Sequence, residues 1–288
     1  MSKILITGGH GQLAYELIAL AQQQKHQMMA PAREQLDITQ QSGVQEIVDT
    51  FQPDVVINTA AYTKVDQAEQ DIQQAYAVNC EGVKNIALVC AHNHIPLLHI
   101  STDYVFAGNQ TRPYLESDTV SPINIYGKSK WQGEEAVREH CPQHIILRVS
   151  SVFGRHGQNF VKTILRLARE RELLRIVADQ TMCPTPAKAI ANTLLRIMAM
   201  PYWGTYHYCG TEAVTWYDFT KAIIYQAKQQ MVLPLKQLDP ITTAEYPTAA
   251  KRPAYSVLDG SLFEKTFALQ CPDWRTGLDD VITALSTP

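Results

Sequence analysis

Tyr126 and Lys130 lie four residues apart in Tyr126-Gly127-Lys128-Ser129-Lys130, about two dozen residues after Ser101-Thr102-Asp103. On a helix, positions i and i+4 share one face, so this spacing sends a phenol and an ammonium toward one cleft. A phenol with a free pKa near ~10 yields its proton poorly at neutral pH, and an adjacent ammonium favours the phenolate and brings the value toward the working range. Such a pair suits protonation of an oxygen that becomes an alcohol as hydride reaches the carbon. A hydroxyl from Thr102 would steady charge on the same oxygen, with Ser101 as the competing donor. Alone, a YxxxK spacing is most often a surface tyrosine beside a solvated lysine.

Hydride chemistry needs a carrier, and the chain opens on Ile4-Leu5-Ile6-Thr7-Gly8-Gly9-His10-Gly11-Gln12-Leu13-Ala14. Gly8, Gly9 and Gly11 fall between an apolar strand and a helix, where a tight turn brings backbone N–H groups and a helix N-terminus against a pyrophosphate. Ala14 fills the small position where helix and strand pack. The presumed second strand, Gln27–Ala30, ends in Pro31-Ala32-Arg33 with no acid for a ribose 2′-hydroxyl. Arg33 is therefore read either as a contact for a 2′-phosphate, which favours NADPH over NADH, or as a solvated loop arginine. Asp37-Ile38 and Ala60-Ala61-Tyr62 sit at strand ends, where this architecture places its ligands.

The elements that would hold these groups alternate. Ile4–Thr7, Val55–Asn58, Leu97–Ser101 and Ile145–Val149 read as buried strands, and Leu13–Gln24, Ser42–Phe51, Ile72–Asn93 and Lys130–Glu139 as helices. The strands are continuous in Val, Ile and Leu, as in sheets covered on both faces. The expected fold class is α/β: a Rossmann-like doubly wound parallel sheet with a smaller C-terminal substrate-binding lobe. Residues 1–150 form the dinucleotide-binding part, which also receives 158–180 and 204–210, and 151–288 form mainly the lobe. Beyond Val149 the chain is punctuated by prolines, with helices expected at Phe160–Arg171, Ala187–Met200 and Trp216–Gln230 and a returning strand at Tyr206–Cys209.

Composition narrows the functional classes. A net charge of -3 with dispersed Lys and Arg lacks the footprint of a nucleic-acid binder. No apolar run approaches the ~18 residues of a membrane span, and no secretory signal precedes the first strand, so a cytoplasmic protein is expected. The six cysteines form no CxxC pair, which argues for reduced packing residues rather than a zinc site or disulfides. The histidines show no metal-ligand spacing, so no metal is assigned.

Together these residues resemble the extended short-chain dehydrogenase/reductase superfamily and, within it, the dTDP-4-dehydrorhamnose reductases of dTDP-L-rhamnose synthesis. The stretches that carry the resemblance are Pro53 to Asp66, Ser101 to Phe106, Tyr126 to Lys130, and Tyr246-Pro247-Thr248 followed by Arg252-Pro253. The resemblance implies that Thr102, Tyr126 and Lys130 carry catalysis. It implies that Gly8, His10, Gly11, Gln12, Leu13, Asp37, Ile38, Ala60, Ala61 and Tyr62 hold an NADPH or NADH cofactor, touched also by Tyr126 and Lys130. Thr63, Asp103 and Tyr104 then border the sugar, and Ser151 stands where the family usually has a tryptophan on the substrate side. Some relatives form a magnesium-linked homodimer through acids; Glu16 matches one acid, while Lys188 stands where another is expected. The implied reaction is reduction of the 4-keto group of dTDP-4-dehydro-L-rhamnose, or a related dTDP-4-keto-6-deoxysugar, for a surface glycan such as lipopolysaccharide. Two other readings stay open. A sugar-nucleotide epimerase or dehydratase shares the fold, although dehydratases resemble Thr-Asp-Glu where this chain has Thr102-Asp103-Tyr104. A non-catalytic NADP-binding subunit, like that of methionine adenosyltransferase, keeps the fold and pocket without turnover.

Overall fold

A computed structural model of the chain describes residues 1–286. Its first half runs β1 (Lys3–Thr7), α1 (Gln12–Gln23), β2 (Gln27–Met29), α2 (Gln41–Phe51), β3 (Val55–Asn58), the short α3 (Val65–Ala68), α4 (Ile72–Tyr76), α5 (Gly82–His92), β4 (Leu97–Thr102), α6 (Ile125–His140) and β5 (His144–Val149). The second half runs β6 (Val152–Phe153), α7 (Phe160–Glu170), β7 (Leu173–Val177), β8 (Thr181–Met182), β9 (Thr185–Pro186), α8 (Ala187–Ile197), β10 (Gly204–His207), β11 (Val214–Thr215), α9 (Trp216–Lys228), β12 (Gln237–Ile241), α10 (Ser261–Phe267) and α11 (Trp274–Ser286).

Six parallel strands form the main sheet in the order β10-β5-β4-β3-β1-β2. Both faces are covered, which is why strand side chains on either side are apolar. Ile4, Ile6, Ile57, Leu98 and Leu147 pack with α1, α8 and α10. Leu5, Val56, Leu97 and Ile146 pack with α2, α5 and Val137 of α6. The order reverses direction between β1 and β3, and such a switch point opens a ligand crevice at the carboxyl ends of the strands.

A second core, built on Phe153, Ile164, Leu174, Phe219, Trp274 and Ile282, gathers α7, α9, α11 and the parallel pair β7 and β12. Residues 158–180, expected with the sheet, belong to this lobe, because the apolar face of α7 packs on α9 and β7 pairs with β12. Conversely, α8 lies on α1, and β10 extends the sheet beside β5, so the chain crosses between lobes more often than a boundary near 150 implies. Helices α10 and α11 were not expected.

Two departures bear on the site. The stretch expected as one helix, Ile72–Asn93, is interrupted by a π-helical turn at Ala77–Glu81. The buried residue of that turn is the polar Asn79, set between buried Ala75 and Val83 on the flanking helices. Helix α6 begins at Ile125 rather than Lys130, since the Asn124 side chain caps it by accepting from Gly127 N at 2.8 Å. No helix among the described residues is long and apolar enough to cross a membrane.

Candidate active site

At the end of β1 the chain turns so sharply that glycine is demanded. Gly8 has φ +74, and a Cβ there would stand 2.8 Å from the Ala60 backbone. A Cβ on Gly9 would sit 2.2 Å from Ala30 O. Gly11 N donates to Gly8 O at 2.8 Å, and α1 starts behind Gly11 with no side-chain cap and no acid in its first turn. Uncapped N–H groups at a positive helix end, reached over a glycine surface, fit a pyrophosphate.

The residues assigned to this grip divide by environment. Leu13 is buried in the core, so only its backbone is available to a ligand. Gln12 donates to Val152 O at 3.4 Å and accepts from Asn159 at 3.3 Å, tying α1 to the β6–α7 segment. His10 is exposed, its ring parallel to that of Tyr15 at 6.5 Å. Arg33 is exposed, while Asp37 Oδ1 is occupied by the Thr39 N–H at 3.0 Å and hydroxyl at 2.8 Å. Ile38 is buried where Gly82 leaves space, and Thr63 is exposed. Half-buried Ala60, Ala61 and Tyr62 follow β3. The Asn79 amide, inside the π turn, accepts from Tyr62 N at 2.8 Å and donates to Tyr62 O at 3.1 Å. It also reaches Ser129 Oγ at 3.0 Å, so one residue registers the β3 loop against α6. Sequence reasoning missed Asn79, whose one signal was a polar residue on the buried side of an otherwise apolar helix face.

Tyr126 lies in the first turn of α6 and is fixed from several sides. Ile125 N donates to Glu69 Oε1 at 2.8 Å, Asn124 Nδ2 donates to Lys251 O at 2.8 Å, and Ser129 Oγ donates to Tyr126 O at 2.8 Å. A Cβ on Gly127 would stand 2.1 Å from Tyr104 O, so the helix start and the Tyr104 loop touch backbone to backbone. The Tyr126 ring meets Tyr104 edge-on at 5.8 Å. Burial pushes its phenol above the ordinary value, and a hydrogen bond with Thr102 pulls the other way.

Thr102 and Ser101 point to opposite faces of β4, as neighbours on a strand do. Ser101 Oγ donates to Glu134 Oε1 at 2.5 Å, which commits it away from the phenol and leaves Thr102 as the strand-end hydroxyl that acts on Tyr126. Lys130 departs from the expected pairing. Its Nζ donates to Ile100 O at 2.7 Å and lies 3.4 Å from His99 Nε2. The influences on the phenol are burial, the largest, with Thr102, Asp103 and Tyr104, while Lys130 Nζ is held by Ile100 O. Burial lowers Lys130 to about 8, with Glu134 opposing.

Asp103, 2% exposed, accepts from Ser150 Oγ at 2.9 Å and Thr102 Oγ1 at 3.1 Å. Burial raises its carboxyl to about 6 against hydrogen bonds from Ser256, Ser150 and Thr102. Arg252 donates to Tyr104 Oη at 3.2 Å and pairs with Asp66 Oδ2 at 2.7 Å, closing the cleft with the segment after β12. Ser151 holds φ +46, a left-handed conformation rare outside glycine, as the chain leaves β5.

Glu16 is 4% exposed and takes Arg155 Nε at 3.2 Å, while Lys188 pairs with Asp280 at 2.9 Å. These four line a cleft of about 320 Å³ between α1 and α11. Both acids are already matched by cations, a donor set that does not fit Mg²⁺, which favours oxygen ligands with uncommitted charge.

The chain matches the family model described as RmlD substrate binding domain over residues 2–287. It is 43% identical to the dTDP-4-dehydrorhamnose reductase of Aggregatibacter actinomycetemcomitans, with 98% of each chain covered. Among solved structures, dTDP-4-dehydrorhamnose reductase of Bacillus anthracis in complex with NADP is similar at TM-score 0.93 and 37% identity, covering 98% of this chain and 99% of that one. A Clostridium acetobutylicum dTDP-4-dehydrorhamnose reductase gives TM-score 0.94 at 35% identity, covering 99% of this chain and 100% of that one.

Proposed function

Because the chain belongs to the RmlD substrate binding domain family, that of the dTDP-4-dehydrorhamnose reductases, we propose that it uses NADPH to reduce the 4-keto group of dTDP-4-dehydro-L-rhamnose to the 4-hydroxyl. It is an oxidoreductase of dTDP-rhamnose synthesis. The bound nicotinamide supplies the hydride. Backbone N–H groups at Gly8 to Leu13 hold the pyrophosphate, and Asp37, Ile38 and Ala60 to Tyr62 wall the nucleoside. Tyr126 gives its proton to the sugar oxygen, and Thr102 hydrogen-bonds that oxygen as charge builds. Lys130 sits one helical turn behind Tyr126 on the cofactor side. Thr63, Asp103, Tyr104 and Ser151 border the sugar, closed over by Arg252.

One observation carries the assignment: Thr102 acts on the buried Tyr126 phenol while Ser101 on the other face of β4 is committed to Glu134. A phenol raised by burial keeps its proton at neutral pH, which is the form a reductase needs in order to donate. Exposed Arg33, followed by Glu34 but with no acid at the tip of β2 itself, favours NADPH over NADH. The reaction runs in the cytoplasm, where the free thiols of the six cysteines stay reduced. Any homodimer through the α1 face forms without a bridging cation, since Glu16 is already neutralised by Arg155.

The direct test follows NADPH and NADH oxidation with dTDP-4-keto-6-deoxysugars of both hexose series. Oxidation with the L-series sugar is expected, and Arg33→Ala should raise KM for NADPH about tenfold while leaving NADH unchanged. Equal effects on both cofactors would remove Arg33 from cofactor choice. No oxidation with any sugar would hand the assignment to a non-catalytic nucleotide-binding protein.

A further inference from the structure

A buried polar chain ends on Lys130, and the chemistry above leaves its first three members without a task. Thr7, Asn58 and His99, from β1, β3 and β4, are each 0% exposed, and Lys130 is 2% exposed. Thr7 Oγ1 donates to Asn58 Oδ1 at 2.6 Å, and Asn58 Nδ2 lies 3.0 Å from His99 Nδ1. His99 Nε2 lies 3.4 Å from Lys130 Nζ, which donates to Ile100 O at 2.7 Å. Polar groups placed this deep are costly unless each donor meets an acceptor.

The direction of the chain can be worked out. Ala60 N donates to Asn58 Oδ1 at 3.1 Å, and a backbone N–H cannot accept, so the orientation of this amide is fixed. Asn58 Nδ2 is then the donor, His99 Nδ1 the acceptor, and the neutral ring carries its proton on Nε2, facing Lys130. An N–H aimed at Nζ is satisfied by the lone pair of an amine and opposed by an ammonium. We propose that His99, oriented by Asn58 and Ala60, is a positioning residue for Lys130: its Nε2–H favours the neutral amine and sets the pH at which this lysine charges.

The surroundings act in the same sense. Burial lowers Lys130, and Glu134 on its own helix is the counterweight. Burial comes first in keeping His99 uncharged, followed by Lys130 and Arg138 on α6 and His144 on β5. Below its pKa Lys130 is an ammonium and above it an amine. Resting on the reductase reading, in which Lys130 contacts the cofactor as an ammonium, kcat/KM falls on the alkaline side as that proton leaves.

Nitrogen NMR of histidine-labelled enzyme, with His99 assigned through His99→Gln, reports where the ring proton sits. Carbon NMR of lysine-labelled enzyme, with Lys130 assigned through Lys130→Arg, reports its titration. The expected wild-type tautomer has the proton on Nε2. In His99→Gln, whose amide oxygen can turn to Nζ, the Lys130 midpoint should rise by about one pH unit, the scale of one hydrogen bond, and the alkaline limb of kcat/KM should move with it. A wild-type ring proton on Nδ1, or a Lys130 midpoint unmoved by the substitution, overturns the proposal. If His99→Gln does not fold, Asn58→Asp replaces the donor by an acceptor and should transfer the ring proton to Nδ1; a proton that stays on Nε2 overturns it equally. Both spectra are independent of turnover, so an inactive enzyme with the expected spectra would sink the reductase reading and not this one.

Discussion

Tyr126→Phe is expected to lower kcat by at least ~10²-fold, the usual scale for losing a general acid, while the dissociation constant for NADPH stays within about twofold. The substitution removes one oxygen and keeps the ring that meets Tyr104 edge-on at 5.8 Å. The supports of the helix start, Asn124 on Gly127 N and Glu69 on Ile125 N, are backbone contacts that phenylalanine leaves alone. Turnover should therefore fail without the cleft changing shape. Thr102 would remain as a hydrogen-bond donor, but a threonine hydroxyl is too weak an acid to protonate the sugar oxygen, so Thr102→Val should cost less than Tyr126→Phe. Steady-state rates with separate measurement of cofactor binding decide it. Unchanged turnover in Tyr126→Phe would remove the phenol from the mechanism.

The second large effect concerns stability. Glu134→Ala is expected to destabilise the fold by about 3–5 kcal/mol, because it leaves a buried guanidinium unpaired. Glu134 is 0% exposed and Arg148 1% exposed, and Arg148 reaches the carboxylate at 2.7 Å through one nitrogen and 2.9 Å through another. Arg138 adds a contact at 2.6 Å and Ser101 one at 2.5 Å, so a single carboxylate binds α6 to both β4 and β5. Burial alone would raise the Glu134 carboxyl, and Arg148 and Arg138 outweigh it and hold it below the ordinary value. A depressed folded pKa contributes stability above the unfolded value of ~4.3 and loses it as pH falls through the folded one. The gap between wild type and Glu134→Ala in denaturant titrations should thus be full at neutral pH and narrow in acid. A difference below about 1 kcal/mol at neutral pH would show that the pair contributes no more than an exposed one.

Much of the sheet was legible because its strands are short continuous runs of Val, Ile and Leu, and Val55–Asn58 was bounded from that pattern alone. The glycine turn was equally readable, since the demand for positive φ at Gly8 is local. Allocation of α7 to a lobe was not: an amphipathic helix declares which face is apolar but not which core it covers. The helix spacing announced that Tyr126 and Lys130 share a face. Where Lys130 points is decided by His99 and Ile100, about thirty residues earlier on a different element, and no local pattern encodes that contact. The roles of Asn79 and Arg252 likewise exist only once distant segments meet.

The most direct measurement is to run the reaction with NADPH deuterated at the transferable position and locate the label in the sugar by NMR. The hydride chemistry assigned here predicts one deuterium, on C4 of the dTDP-6-deoxyhexose product, with stoichiometric oxidation of the cofactor. Deuterium at another carbon, or a converted sugar with no net cofactor oxidation, would contradict it and point to epimerisation or elimination.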